Sequence, residues 1–217
     1  MIKKILFSKW IFFKPNKKDI LIYDSESIEI FYLFFNKKDC ECLCVRYESI
    51  NFYILLTTII KRGFKNLKDN YKFFYIKAVS PKVVFTIIDN NPAFYKLKHI
   101  YKKTIYVSIQ ISARTDIFLN SCEKYYLDPK SKKLKVNHMF VIGKNDINRY
   151  SKIIEGKIES LGSVKNNYFY IKKKQDIEKK INSILFISTK NKLSKFHKRE
   201  KIIFDQLYKF CTKKNLK

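Results

Sequence analysis

The sequence predicts a doubly wound α/β domain built on a parallel sheet. Short β-branched and aromatic runs (DILIYD at 19–24, ECLCVR at 41–46, VVFTII at 83–88, TIYVSIQ at 104–110 and HMFVI at 138–142) alternate with helical stretches. Several runs are apolar throughout, as strands buried on both faces are. The runs stop at polar residues where helices begin, most sharply at Asp89-Asn90-Asn91-Pro92, where proline suits a first helical turn.

Taken in order, Asp19–Asp24 is the first strand and Ser27–Phe35 an apolar helical segment. Glu41–Arg46 is the second strand. Ser49 is the expected N-cap of a helix from Ile50 to about Lys61. A further helix runs from about Leu67 to Val79 and ends before Pro81. Val83–Ile88 is the third strand, followed by a helix over Ala93–Lys98. Thr104–Gln110 is the fourth strand, Glu123–Val136 is less regular, and His138–Ile142 is the fifth strand. A helix over about Asp146–Ile154 precedes a sixth short strand at Lys157–Leu161. The charge run IKKKQDIEKK marks a boundary near 172–182. After it come one strand (Ser183–Ser188) and one basic helix (about Lys195–Lys213), too little for a core of their own. The expected organisation is a leader at 1–16, an α/β domain at 17–171, a connector at 172–182 and the opening βα unit of a truncated second α/β domain at 183–217.

Composition narrows the function classes. With 217 residues, 46% hydrophobic and 16% aromatic, the chain buries a real core. The net charge of +27 suggests an anionic partner, but 41 of the 46 basic residues are lysines spread along the chain. Only Arg46, Arg62, Arg114, Arg149 and Arg199 are arginines. Nucleic-acid readout favours arginine in a localised patch, and a lysine coat also follows from an A- and T-rich genome. A basic nucleic-acid-binding protein therefore stays open as the alternative, beside attraction to an anionic membrane surface. The leader MIKKILFSKWIFFKPNKK is too short and too charged to span a bilayer or serve as a signal peptide. Its Trp10, Phe12 and Phe13 suit a membrane interface, or packing on the domain. The cysteines Cys40, Cys42, Cys44, Cys122 and Cys211 are odd in number and lack a second zinc-type pair, so a reducing cytoplasm and no metal are expected. On a strand, Cys40, Cys42 and Cys44 share one face.

No phosphate-loop, dinucleotide, zinc-protease or nucleophile-elbow motif occurs, and His99, His138 and His197 are scattered. No catalytic residue can be named. The candidates for binding lie in loops that follow strands, where open α/β sheets collect ligands. Asp89, Asn90 and Asn91 either face a ligand or cap the next helix. Arg46, Glu48 and Ser49 follow the second strand, and Arg46 either holds a phosphate or carboxylate or pairs with Glu48. Gln110 and Arg114, with Asp116 nearby, follow the fourth strand. Gly143 and Lys144 follow the fifth, and Gly162 and Ser163 the sixth.

An ordered set of segments resembles a family of bacterial surface-polysaccharide biosynthesis proteins that look like GT-B glycosyltransferases. The segments are KKDILIYD at 17–24, VRYESINFYILL at 45–56, PKVVFTIIDNNPAFYKLK at 81–98, VSIQISARTD at 107–116, HMFVIGKNDINRYSK at 138–152 and GKIESLGSVKNN at 156–167. The resemblance implies the N-terminal, acceptor-side half of such an enzyme, inactive alone, with Asp89–Asn91 facing an interdomain cleft. It also implies a nucleotide-sugar donor bound by a C-terminal half, a lipid-linked acceptor glycan, no cofactor, and a place in the cytoplasm at the inner membrane face. The family tends to have glycine at the position of Tyr47 and Asn-Gly at Ile111-Ser112, so the bulkier residues here narrow those loops. An inactive gene fragment is a further alternative.

Overall fold

The computed structural model describes residues 7–26, 28–115, 120, 122–123, 134–167, 184 and 194–214. The chain forms two compact units, 1–170 and 171–217. In the second, the expected strand at Ser183–Ser188 and the connector at 172–182 lie outside the described residues save Ile184. Helix α7 (Ser194–Lys213) occupies the span expected of the basic helix.

The first unit is built on a six-stranded sheet. Its strands are β2 (Ile20–Tyr23), β3 (Cys40–Leu43), β5 (Val83–Thr86), β6 (Ile105–Ile109), β7 (Leu134–Val141) and β8 (Ile154–Ser160). They pair in the order β3-β2-β5-β6-β7-β8, all parallel. The sheet grows outward from β2 to β3, then reverses to β5 and beyond. That reversal makes the carboxyl ends of β2 and β5 the switch point of a doubly wound, Rossmann-like fold. Both faces are apolar because the strands alternate their side chains. Leu21, Tyr23, Val84, Tyr106 and Met139 pack on one face against helix α3 (Leu67–Val79) and helix α6 (Lys144–Ser151). Ile22, Cys40 and Ile87 pack on the other against Ile30 and Phe31 of helix α1 (Ile28–Phe31).

Several boundaries depart from the sequence reading for local reasons. Ser49 does not cap a helix. It lies in a short strand, β4 (Ser49–Asn51), that pairs in parallel with β1 (Lys9–Ile11) of the leader. Asn51 takes the capping role for helix α2 (Phe52–Arg62), its side chain accepting from Ile54 N at 3.0 Å. The helix expected over Ala93–Lys98 is two short ones, α4 (Pro92–Tyr95) and α5 (Leu97–Ile100), with Lys96 between them. The β3 strand ends at Leu43, so Arg46 lies in a loop rather than on a strand. Strand β7 starts at Leu134, inside the span expected to be irregular, because Leu134 and Val136 face the core while Lys135 pairs with Glu155.

The sixth strand, expected at Lys157–Leu161, starts earlier, and Gly156 lies inside it. The register steps from Lys135↔Glu155 to His138↔Lys157, so Val136 and Asn137 face Gly156 in a β-bulge. A Cβ at Gly156 would sit 2.4 Å from the Val136 carbonyl oxygen, too close for any side chain. Gly156→Ala is therefore expected to destabilise the domain by about 1–3 kcal/mol, read as a lowered urea midpoint at unchanged slope. A midpoint equal to that of the parent would refute the close-packed bulge.

Candidate functional site

Two groups of side chains gather on the carboxyl edge of the sheet. The first surrounds a cavity of about 500 Å³ at the ends of β2 and β3. Trp10, Tyr23, Tyr47 and Tyr71 bring aromatic surface to it, and Arg46, Lys68 and Lys72 bring positive charge. Ser49 and Asn91 add neutral polar groups, and Cys44 adds a thiol. Of the candidates read from sequence, the cavity thus collects Arg46, Ser49 and Asn91.

Arg46 is held by acids rather than waiting free. Its Nε donates to Asp24 Oδ2 at 2.8 Å, and its guanidinium also pairs with Glu26. Glu48 accepts from the Arg46 backbone N at 3.1 Å, closing the loop on itself. Asp24 is buried and left-handed, with φ 82°, and its own N–H donates to Leu43 O at 3.0 Å. These bonds bind the ends of β2 and β3 into one rim. Tyr47 also takes a left-handed backbone, with φ 71°. That conformation explains why glycine suits the position, and tyrosine here carries the strain while lining the cavity. Tyr23 and Tyr71 stay protonated because burial pushes their hydroxyls up, Tyr71 to about 12. Tyr71 accepts from Asn51 N at 2.9 Å, and the Asn91 side chain accepts from Ala93 N at 3.1 Å and hydrogen-bonds the Tyr23 hydroxyl.

Cys42 and Cys44 stand 3.9 Å apart, sulfur to sulfur. The Cys44 thiol is pulled down to about 7, first by the hydrogen bond from Cys42 and further by Ser49 and Ser25, against the opposing effect of burial. The Cys42 thiol is pushed up by the same contact and by burial. The contact thus favours the thiolate at Cys44 over Cys42.

The second group centres on Asp89, whose side chain is fully buried. Arg114 Nε donates to its Oδ2 at 2.8 Å, and the other guanidinium arm donates to Oδ1. The Tyr150 hydroxyl donates to Oδ2 at 2.7 Å, and Ile111 N to Oδ1 at 3.4 Å. Gln110 is also buried. It accepts from Ile142 N at 2.9 Å and donates to Ser112 O at 3.0 Å, joining the ends of β6 and β7. Asn90 is exposed beside this group. Gly143 precedes α6, its carbonyl accepting from Asp146 N at 3.0 Å, and Lys144 follows it exposed. The Ser163 hydroxyl accepts from Asn166 N at 3.2 Å and starts a helical turn beyond Gly162. Asp116 lies outside the described residues. Among the described residues, no group of three or more His, Cys, Asp or Glu side chains comes together as a metal site.

A model of the family described as putative O-antigen biosynthesis protein matches residues 107–217, just over half of the chain. The chain belongs to this family. The membership ties it to the synthesis of surface polysaccharide. No curated protein and no solved structure matches. Within the O-antigen biosynthesis family segment lie most of β6, all of β7 and β8, and Gln110, Arg114, Gly143, Tyr150 and Ser163. The cavity is built from residues 10–93, before it. Asp89 joins the two regions through Arg114 and Tyr150, beside the pairing of β5 with β6.

Sequence reasoning missed Tyr71, Lys68 and Trp10 as cavity residues, Asp24 as the partner of Arg46, and Tyr150 as the partner of Asp89. Asp24 carried one usable signal, an acid at the end of an apolar strand, the same pattern that singled out Asp89. Lys68 and Tyr71 face the cavity from the first turns of α3, and no local pattern separates them from neighbouring lysines and aromatics.

Two outcomes are expected. Asp89→Ala leaves Arg114 and Tyr150 without their buried acceptor, and costs about 3–5 kcal/mol of stability, measured by urea unfolding. A loss below about 1 kcal/mol would mean that the loops hold without it. For the thiols, Cys44 is expected to be alkylated by iodoacetamide with a rate that rises through pH 7. The rise follows from deprotonation, so Cys42→Ala, which removes the stabilising donor, shifts it to higher pH. Mass spectrometry of the labelled peptide reads the site, and an unchanged profile in Cys42→Ala would rule out the paired thiols as its cause.

Proposed function

We propose that the cavity binds the phosphorylated sugar head of an acceptor in surface polysaccharide synthesis. In this reading the chain serves as the acceptor-side half of a GT-B-type glycosyltransferase. The observation that carries the proposal is the cavity's lining: aromatic faces and three cationic side chains at the switch point of a doubly wound sheet. Aromatic rings stack on the apolar faces of sugar rings, and lysine and arginine donate charge-assisted hydrogen bonds to phosphate oxygens. The family link to O-antigen synthesis supports a sugar-bearing ligand over an unrelated anion.

The roles follow from position. Lys68 is exposed at the cavity and takes the phosphate as a mobile point charge. Arg46, held by Asp24 and Glu26, offers its remaining donors from a fixed orientation. Asn91 and Ser49 are placed for sugar hydroxyls. The activated donor is a nucleotide sugar held by a further α/β half, and transfer requires that half.

Trp10 is the chain's one tryptophan and it lines the cavity, so its fluorescence reports on occupancy. Titration with a sugar 1-phosphate and with a nucleoside-diphosphate sugar is expected to change Trp10 emission saturably. Lys68→Glu weakens the apparent affinity roughly tenfold without altering the thermal melt. Emission that stays flat for every phosphorylated sugar tried would remove the basis of this reading.

A further inference from the structure

Helix α2 is inverted relative to an ordinary surface helix. Its inward face carries Ile54 and Thr58, both buried, while Phe52, Tyr53, Leu56 and Ile60 are exposed. At about 100° per residue, those four fall within a single arc of about 100°, opposite the buried pair. Ile60 is 74% exposed, and Phe64, just beyond the helix, is 75% exposed. The leader extends this surface. Phe12 packs on Phe52 with ring centroids 5.5 Å apart yet remains 63% exposed, and Phe13 is 84% exposed. An apolar patch of this kind is unusual on a chain that works alone in water.

The charge around the patch identifies what covers it. Segments 7–18 and 52–68 together hold eight basic residues and no acidic one. A second copy docking through the same face would set this charge against itself, since a two-fold interface repeats one patch on both sides. An anionic bilayer fits both properties. Its headgroups attract lysines, and aromatic and aliphatic side chains flanked by lysines settle at the boundary of headgroups and acyl chains. Among the described residues no helix is long and apolar enough to cross a membrane, so the contact is with the surface.

We propose that the outer face of α2, with Phe64 and the Phe12-Phe13 turn, is a docking surface for an anionic lipid bilayer. Leu55 of α2 and Trp10 and Ile50 of the adjoining strands line the cavity, so docking brings the cavity to the membrane surface. The docking goes beyond the cavity reading and does not depend on it. The consequence that the cavity meets a lipid-linked ligand does rest on that reading.

The test is sedimentation of the full chain with vesicles of phosphatidylcholine, alone or mixed with phosphatidylglycerol, at about 0.15 M salt. Binding is expected only with phosphatidylglycerol. The double variant Ile60→Ser/Phe64→Ser removes apolar surface and leaves every charge in place. It is expected to bind roughly tenfold less or weaker still, with an unchanged circular dichroism spectrum and unchanged Trp10 response to soluble sugar phosphates. Phe12→Ser/Phe13→Ser, on a separate segment, is expected to act in the same direction. Three results would overturn the proposal: no binding by the parent, parent-like binding by both variants, or a dimer in light scattering that Ile60→Ser/Phe64→Ser dissociates. The first two leave the soluble-ligand titration standing, so the failure of docking and the failure of the cavity reading are told apart.

Discussion

The buried carboxylate of Asp89 organises the carboxyl edge of the sheet. An ionised group with no exposed surface is unfavourable unless its lone pairs are filled, and here a guanidinium, a phenol and a backbone N–H fill them. The partners come from two places: the loop after β6, through Ile111 and Arg114, and helix α6 after β7, through Tyr150. One side chain beyond β5 thereby ties that loop to helix α6. The Asp89 carbonyl extends the arrangement by accepting from Tyr95, whose hydroxyl lies 3.0 Å from Ser108 on β6.

A second acid does the same work on the other side of the switch point. Asp24 ends β2, is buried, and receives Arg46 from the loop after β3. Between the two acids, Thr86 donates to the Tyr23 carbonyl at 3.2 Å and accepts from Ile88 N at 3.1 Å, linking β5 to β2 where the strand order reverses. The cavity lies beside this reversal because the crossovers leave β2 and β5 on opposite sides of the sheet, which opens a crevice at their carboxyl ends.

The leader changes the character of the site. By pairing with β4, strand β1 carries Trp10 to the cavity and sets Phe12 on Phe52 of α2. The same short segment therefore closes one wall of the cavity with Trp10 and extends an apolar outer face with Phe12 and Phe13.

The sequence by itself determined the order and type of nearly all the elements of the first unit. Apolar runs interrupted by amphipathic stretches leave no other way to bury both faces of a parallel sheet, and Asp89, Arg46, Asn91 and Arg114 stand out as polar residues at strand ends. It misplaced what depends on partners distant in the chain. Ser49 looked like a cap because nothing local reveals that Lys9–Ile11 pairs with it. The sixth strand is expected only from Lys157, because the close approach of Gly156 to Val136 exists only once β7 and β8 are side by side. Arg46 read either as a holder of phosphate or carboxylate or as a partner for Glu48 two residues away, and the tertiary structure pairs its side chain with Asp24, twenty-two positions earlier. Periodicity is a local property and survives in one dimension. Pairing of buried charges, access to a cavity and exposure of a helix face are settled only when separate segments compete for the same space.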